Sequence, residues 1–260
     1  MLYLLSPAKS LDYDTPVPKR TAALATDAPF PARTAELIQV LRHQSAAQVA
    51  QLMSLSDALA QLNVARYRAW SPDATPRNSR PAALAFDGDV YGGLDAPSLK
   101  LADLRWAQQH IAILSGLYGV LRPLDRLQPY RLEMGTALAT ARGKDLYAFW
   151  GDAVSEHLNT RLEADASPVV VNLASKEYFR AVRTSVLRAR VIDCVFEEWK
   201  GGQYKVISFF AKRARGLMVR HAIAQRVRTP AGLKKFAAEG YAFDAAASAP
   251  DRFVFRRRVA

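Results

Sequence analysis

Cysteine, histidine and long apolar runs are scarce in this 260-residue sequence, and each shortage excludes a class of protein. A single cysteine, Cys194, cannot form a disulfide within the chain. The four histidines are scattered, at positions 43, 110, 157 and 221, and lack the short spacings of a metal-binding motif. The sequence therefore predicts no structural metal, and it contains no motif that calls for a cofactor.

The apolar residues do not form a membrane segment. No apolar stretch approaches the roughly 18 residues that a spanning helix needs. The N-terminal segment MLYLLSPAKS has no basic region before its apolar residues and is too short for a signal peptide, so it is better interpreted as a first strand. We expect a cytoplasmic protein without a membrane partner.

Three common catalytic and nucleotide-binding motifs are also missing. The sequence contains neither the phosphate loop G-x-x-x-x-G-K-[ST] nor the dinucleotide motif G-x-G-x-x-G. The segment SGLYG lacks the central serine of the nucleophile elbow G-x-S-x-G. Any chemistry must therefore depend on residues that are brought together by the fold.

Positive charge is concentrated in the last third of the chain. Residues 1–174 contain 17 basic and 17 acidic residues, so they carry no net charge. Residues 175–260 contain 19 basic and 7 acidic residues, which accounts for the whole net charge of +12. This asymmetry favours a polyanionic partner, such as nucleic acid, a phosphorylated ligand or an acidic protein surface. A generally arginine-rich composition is the alternative explanation.

Short apolar runs bounded by turn residues predict buried strands. Gly201 and Gly202 separate two such runs, which predicts a β-hairpin with strands at residues 191–196 and 204–210. The other predicted strands lie at residues 2–5, 83–86, 111–114, 169–171 and 253–255.

Apolar residues at helical spacing predict helices between these strands, with Ser56 and Ser175 as N-caps. Because strands and helices alternate along the whole chain, we expect a mixed α/β (α+β) fold: a central mixed sheet surrounded by helices, in a single domain spanning residues 1–260. The predicted helices cover residues 31–53 (a pair that breaks near residue 43), 56–70, 99–109, 146–161, 176–182, 211–227 and 231–238.

Polar side chains follow several of the predicted strands and glycine turns. Since strand ends can converge in space, we expect these side chains to line one cleft. Gly92 and Gly93 are expected to supply positive φ angles in a turn beside it. The expected cleft residues are Ser6, Lys9, Asp87, Tyr91, Asn172, Ser175 and Glu177, joined by the clusters Tyr130, Arg131 and Glu133, and Lys212 and Arg215.

Four of these residues are candidates for catalysis: Lys9, Tyr130, Arg131 and Glu133. Glu133 has the chemistry of a general acid or base. A carboxylate among arginines can equally be a structural ion-pair partner, because ion-pair networks perturb carboxylates as active sites do. The sequence leaves both interpretations open.

The segments FDGDVYGGL at residues 86–94 and VVNLASKEYF at 170–179, together with four others, resemble the YaaA family of peroxide-stress proteins. The most distinctive is SGLYGVLRPLDRLQPYRLEMG at residues 115–135, and the resemblance extends from the N-terminus to Arg220. The remaining segments are LLSPAKSLDYD at 4–14, LYAFWGD at 146–152 and AKRARGLMVR at 211–220.

The resemblance implies DNA binding through a basic cleft and a helix-hairpin-helix. In that motif a glycine-containing hairpin lets backbone N–H groups approach a phosphate. The corresponding segment would be Gly116-Leu117-Tyr118-Gly119, followed by Arg122. The DNA-contacting residues expected on this basis are Gly116, Leu117, Tyr118, Gly119, Arg122, Arg126, Arg131, Lys176, Lys212, Arg213 and Arg215.

Two functions remain from the sequence. The first is a DNA-binding protein of the peroxide or oxidative stress response, which contacts the backbone of duplex or structured DNA with little sequence specificity. The alternative is an enzyme that acts on a phosphorylated or nucleobase-containing small molecule in the same polar cleft.

Overall fold

The computed structural model of the protein describes residues 1–258 and contains twelve strands in that range. In chain order they are β1 Leu2–Leu5, β2 Ser10–Leu11, β3 Arg80–Pro81, β4 Phe86–Asp87, β5 Ile111–Ser115, β6 Gly119–Leu121, β7 Arg126–Leu127, β8 Val169–Asn172, β9 Arg190–Lys200, β10 Gln203–Lys205, β11 Ala242–Phe243 and β12 Arg252–Arg257.

Twelve α-helices lie between these strands in the described residues, with one 3-10 turn at Ala96–Ser98. The helices are α1 Lys19–Ala22, α2 Pro31–Arg42, α3 Ala46–Met53, α4 Asp57–Ala69, α5 Ala82–Ala85, α6 Asp89–Leu94, α7 Leu101–His110, α8 Leu146–Trp150, α9 Ala153–Leu162, α10 Lys176–Phe179, α11 Ser208–Gln225 and α12 Pro230–Leu233.

Eight strands form one mixed sheet, in the order β11-β12-β9-β8-β1-β5-β6 with β10 paired to β9. The central strand β1 pairs in parallel with β5 on one side and β8 on the other. The pairs β8–β9 and β9–β12 are also parallel, whereas β5–β6, β9–β10 and β11–β12 are antiparallel. The predicted mixed α/β fold with a central sheet is therefore confirmed.

The apolar sequence of β1 follows from its central position. Its four residues, Leu2–Leu5, are each at most 1% exposed. A parallel strand covered on both faces is apolar at successive positions instead of alternating. This is why MLYLL reads as a strand rather than as one face of a helix.

The chain leaves β1 and β8 in opposite directions across the sheet. After β1, the next strand of this sheet along the chain is β5, which pairs with β1 on the side away from β8. After β8, the next strand is β9, which pairs with β8 on the side away from β1. Where adjacent parallel strands connect in opposite directions, a crevice opens beyond their carboxyl ends, and open α/β sheets commonly bind ligands there. Ser6 and Leu173 are the first residues beyond these two strands.

The predicted helices are largely confirmed, with different bounds. The pair α2 and α3 breaks at residues 43–45, and α4 begins after Ser56, as expected. The helix predicted at 146–161 is divided into α8 and α9 because Gly151 takes a φ of +52°. The helices predicted at 176–182 and 231–238 are shorter, at Lys176–Phe179 and Pro230–Leu233.

The predicted helix-hairpin-helix is wrong. Residues 116–118 form the turn of a β-hairpin between the antiparallel strands β5 and β6, so strands flank it on both sides. The apolar residues on both sides of the glycines are buried in the sheet, with Ile113, Leu114, Val120 and Leu121 all at 0% exposure.

Two predicted strands are also corrected. Residues 82–85 form the short helix α5, because an alanine-rich segment favours helix, and only Phe86–Asp87 is a strand. The hairpin at Gly201-Gly202 is confirmed, with φ angles of +63° and +81°, but its second strand ends at Lys205. The apolar residues that follow do not continue the sheet, and α11 begins at Ser208.

Candidate functional site at the switch point of the sheet

A cleft of about 450 Å³ lies beyond the carboxyl ends of β1 and β8. It brings together eight of the residues that the sequence predicts for a common site, and it adds Asp89 and Tyr178, which were not predicted as site residues. The lining residues are Ser6, Pro7, Ala8, Lys9, Ser10, Asp87, Gly88, Asp89, Val90, Glu133, Ser175, Glu177, Tyr178, Lys212 and Arg215.

Two serines join the loops that follow β1 and β8. The Ser175 backbone N–H donates to Ser6 Oγ at 2.9 Å, and the two hydroxyl oxygens are 3.4 Å apart. Ser175 also caps α10, since its Oγ accepts a hydrogen bond from the Tyr178 N–H at 3.4 Å. The Tyr91 hydroxyl donates to the Ser6 carbonyl at 3.1 Å. These bonds hold the floor of the cleft in one arrangement.

Glu133 lies between two cations on the rim of the cleft. Lys9 Nζ is 3.0 Å from one carboxylate oxygen, and Arg131 Nη2 is 3.2 Å from the other. The Lys9 side chain is 63% exposed, whereas Glu133 is 24% exposed. Arg131 does not line the cleft, and its carbonyl accepts a hydrogen bond from the Tyr67 hydroxyl. Lys9 and Glu133 are therefore a charged pair that solvent or a ligand can reach.

Glu177 connects α10 to the segment around Glu133. Its Oε1 accepts a hydrogen bond from the Gly135 N–H at 2.9 Å. The Tyr147 hydroxyl donates to the Glu177 carbonyl at 3.0 Å. One oxygen of this carboxylate thus has a structural role, and Glu177 still lines the cleft.

Helix α11 forms another wall, and two glycines set its position against α6. A Cβ on Gly216 would lie 1.9 Å from the Val90 carbonyl oxygen, and a Cβ on Gly93 would lie 2.3 Å from the Arg213 carbonyl oxygen. No larger residue fits at either position without separating the helices. The close contact places Lys212 and Arg215, three residues apart on one helix face, beside Asp87 at the end of β4 and Asp89 at the start of α6.

The expected turn at Gly92 and Gly93 is therefore wrong. Both residues belong to α6, and neither has a positive φ. Gly93 is needed for helix contact, which sequence reasoning missed because its partner Gly216 is more than a hundred residues away. A small residue in each of two helices was the available signal.

The four hairpin residues predicted to contact DNA are buried. Leu117 is 0% exposed and Tyr118 4%. The Tyr118 N–H donates to Ser115 Oγ at 3.0 Å, and the Gly116 carbonyl accepts from the Trp150 indole at 2.9 Å. A Cβ on Gly119 would meet the Trp150 ring at 2.6 Å. Because these groups are occupied by the protein itself, the hairpin cannot approach a phosphate.

Several arginines predicted to contact DNA form structural ion pairs. Arg122 Nε lies 3.0 Å from the buried carboxylate of Asp125, and Arg126 lies 2.8 Å from Asp27. Arg213 binds Glu239 through two nitrogens, and this hydrogen bonding raises the pKa of Arg213. Lys176 is exposed at the start of α10, outside the cleft lining.

Three other predicted site residues lie behind the cleft wall. The buried Tyr130 hydroxyl is 2.6 Å from Ser115 Oγ, and burial raises the pKa of Tyr130. Burial likewise raises the pKa of Tyr91. Asn172 donates to Asp193 at 2.7 Å and accepts from the Ala174 N–H at 3.0 Å, so it shapes the loop after β8. None of the three lines the cleft.

The lining of the cleft carries both signs of charge. Four carboxylates belong to it, those of Asp87, Asp89, Glu133 and Glu177. Three cations face them, Lys9, Lys212 and Arg215. This site is therefore not the basic cleft that was expected. Its carboxylates would repel a continuous phosphate backbone.

Metal-binding clusters and membrane-spanning helices are both absent from residues 1–258. That part of the chain contains no group of three or more His, Cys, Asp and Glu side chains arranged to hold a metal ion. It also contains no helix with the length and apolar character needed to cross a bilayer.

Comparison with known proteins identifies the relatives of this chain. The family model described as peroxide stress protein YaaA matches residues 1–247. The chain belongs to the YaaA family. Curated relatives described as UPF0246 proteins are 66% identical in Paracidovorax citrulli and 63% identical in Leptothrix cholodnii, each aligned over 100% of both chains. A UPF0246 protein of Variovorax paradoxus is 63% identical over 99% of both chains.

Proposed function

We propose that this YaaA-family protein acts in the response to peroxide as an enzyme on a small phosphorylated or nucleobase-containing molecule, with the switch-point cleft as its active site. The cleft itself carries the proposal. It lies where open α/β sheets bind ligands, and its volume of about 450 Å³ falls within the range of small-molecule sites.

The mixed charge of the lining fits a nucleotide-like ligand better than it fits a DNA backbone. Lysine and arginine side chains bind phosphate through charge-assisted hydrogen bonds. Carboxylates accept hydrogen bonds from the amino groups of nucleobases and from sugar hydroxyls. A ligand with an anionic end and a hydrogen-bond-donating end satisfies both sets, whereas a polyphosphate chain satisfies one and opposes the other.

Lys9 and Glu133 are the catalytic pair in this proposal. Their 3.0 Å contact places a proton donor and a proton acceptor side by side on the rim of the cleft. Glu133 can take a proton from a ligand hydroxyl or amine, while Lys9 stabilises negative charge that develops on the ligand. Arg131 orients Glu133 through the second carboxylate oxygen.

A ligand survey and a complementation assay test this function. A nucleotide or sugar phosphate that binds the cleft should raise the melting temperature in proportion to its concentration. In a deletion strain, Glu133→Gln should fold normally but fail to restore survival in peroxide. Glu156→Gln, which changes an exposed carboxylate on α9, is the matched control and should restore it.

Two results would contradict this function. One is the absence of stabilisation by any nucleotide, nucleoside or sugar phosphate. The other is full complementation by Glu133→Gln, which would remove the catalytic role of this residue.

Binding of DNA is a second candidate, supported by a different surface. Phe209 and Phe210, at the start of α11, are 58% and 38% exposed, which is unusual for large aromatic side chains. They lie between the exposed residues Lys205 and Lys212 in the basic third of the chain. Aromatic side chains flanked by cations bind unpaired bases and phosphates with little sequence preference.

A mobility-shift titration tests the DNA candidate. Phosphate contacts release counterions, so log affinity should fall with log salt at a slope near −0.9 per contact on duplex and about −0.7 on single strands. Phe209→Ala with Lys205→Gln should weaken binding to structured DNA, while Leu62→Ala, at another exposed apolar position, should not. An affinity that does not change with salt, or equal binding by all variants, would exclude this surface.

A further inference from the structure

Arg215 is a cation in the cleft without a carboxylate partner. Its side chain is half-buried, and its Nε is buried with no hydrogen-bond partner among residues 1–258. Burial lowers the pKa of Arg215. A guanidinium stays charged in proteins, so a buried one requires a compensating anion or hydrogen-bond acceptor.

Other arginines of α11 are compensated, which makes the contrast informative. Arg213, two residues earlier, binds Glu239 at 2.6 Å. Arg220 binds the carbonyls of Leu94 and Asp95 at 2.9 and 2.8 Å. The two arginines of this helix that lie outside the cleft lining are therefore paired with residues of other segments. Its two cleft-lining cations, Lys212 and Arg215, form no salt bridge within the described part of the chain.

Lys9, by contrast, has a carboxylate partner. Lys9 already contacts Glu133, and Glu177 already accepts a hydrogen bond from Gly135. The segment around Glu133 therefore has paired charges, whereas Lys212 and Arg215 on the α11 wall form no salt bridge with Asp87 or Asp89, the carboxylates that line the cleft beside them. The cleft therefore differs in charge from one wall to another, so that an anionic ligand would bind in one orientation.

We propose that Lys212 and Arg215 form an anion subsite that binds the phosphate of the ligand, so that the uncharged end of the ligand meets Glu133 and Glu177. This inference rests on the function proposed above and specifies how the ligand lies in the cleft. The Nη–H groups of Arg215 can bind two phosphate oxygens, because the planar guanidinium presents its donors in a fixed fork. Lys212 adds a flexible point charge.

The test compares ligands that differ only in the phosphate. Calorimetric affinities for AMP, adenosine and inorganic phosphate are measured with the full-length wild type and with Arg215→Gln, Arg215→Lys and Lys212→Gln. Arg215→Gln should weaken AMP and inorganic phosphate by about 10- to 100-fold, the range for a lost hydrogen bond to a charged group. Adenosine binding should be unchanged. Lys235→Gln, an exposed cation outside the cleft, is the control for net charge.

The variant Arg215→Lys keeps the charge but loses the fork, and should recover only part of the affinity. Equal loss of AMP and adenosine in Arg215→Gln would indicate a structural role and overturn the subsite. Unchanged phosphate binding would overturn it too. If the wild type binds inorganic phosphate but no organic ligand, and Arg215→Gln abolishes that binding, the subsite stands while the proposed substrate class fails. If the wild type does not bind phosphate or AMP, the subsite is excluded.

Discussion

Gly119 shows why a glycine in the most distinctive segment of the sequence is required by packing. It takes a φ of +68° at the start of β6, and a Cβ there would lie 2.6 Å from the Trp150 ring. Trp150 is itself fully buried and donates its indole N–H to Gly116. The segment that resembles a phosphate-binding hairpin is thus the surface against which Trp150 packs.

The substitution Gly119→Ala should therefore destabilise the protein strongly. The left-handed conformation costs a non-glycine residue about 1–2 kcal/mol, and the overlap with Trp150 adds about 1–3 kcal/mol. Gly201→Ala is the matched control, because Gly201 also has a positive φ but nothing lies within 4 Å of the added Cβ. Urea unfolding should show that Gly119→Ala costs more than Gly201→Ala; equal costs would mean that Trp150 moves aside freely.

Helices α6 and α11 illustrate the same dependence at the level of elements. Gly93 and Gly216 bring the two backbones into contact, and this contact carries Lys212 and Arg215 to the cleft. The short helix α6 follows β4, which pairs with β2 in the loop beyond β1. The helix contact therefore couples the stability of the fold to the shape of the proposed site.

Three alanine substitutions separate helix propensity from helix contact. Gly92→Ala should be neutral or stabilising by up to about 1 kcal/mol, since its Cβ meets only Arg213 Nη1 at 3.8 Å and alanine favours helix. Gly216→Ala and Gly93→Ala place a Cβ within 2.3 Å of backbone and should each lower stability by about 2 kcal/mol or more. Thermal unfolding measures the differences, and a stabilised Gly216→Ala would contradict the close contact.

The distribution of charge is a property of the whole molecule. Part of the basic excess near the C-terminus is structural: Arg256 and Arg257 on β12 contact Glu197 and Glu198 on the neighbouring strand β9, at 2.9 and 2.8 Å.

A buried histidine should make the folded protein less stable in acid. His157 is packed edge-on against Phe30, and burial lowers the pKa of His157 from 6.5 to about 4.

Stability should consequently fall as the pH drops from 6.5 toward 4. In this range the unfolded chain binds a proton at His157 that the folded protein does not, so protonation favours unfolding. The contribution is complete above pH 6.5 and is lost as the pH approaches 4. Urea midpoints between pH 7 and pH 4.5 measure it.

The variant His157→Asn separates the effect of this histidine from that of His110, whose pKa is also lowered by burial. The pKa values of Asp12, Glu239 and Asp244 are lowered in the folded protein, so their stabilisation is lost mainly below pH 4.5. His157→Asn should therefore have a smaller change in midpoint between pH 6.5 and 4.5 than the wild type. If the midpoint changes equally in both proteins, groups other than His157 cause the acid sensitivity.

The sequence by itself determined the features that depend on neighbours along the chain. Residues 2–5, 111–114 and 169–171 read as strands because a central parallel strand is apolar throughout. Gly201-Gly202 predicted a hairpin turn because both positions need positive φ. The polar residues after β1 and β8 predicted a common cleft because parallel strands place their carboxyl ends at one edge.

The tertiary structure alone decided the features that depend on distant partners. Val206, Phe209 and Phe210 have strand-like composition, but they remain exposed and α11 begins among them. The glycines at 93, 116, 119 and 216 serve close contacts with residues that no local pattern identifies. Whether an arginine pairs with an acid, as Arg213 does, or faces the cleft without one, as Arg215 does, follows from how α11 packs and not from the order of residues within it.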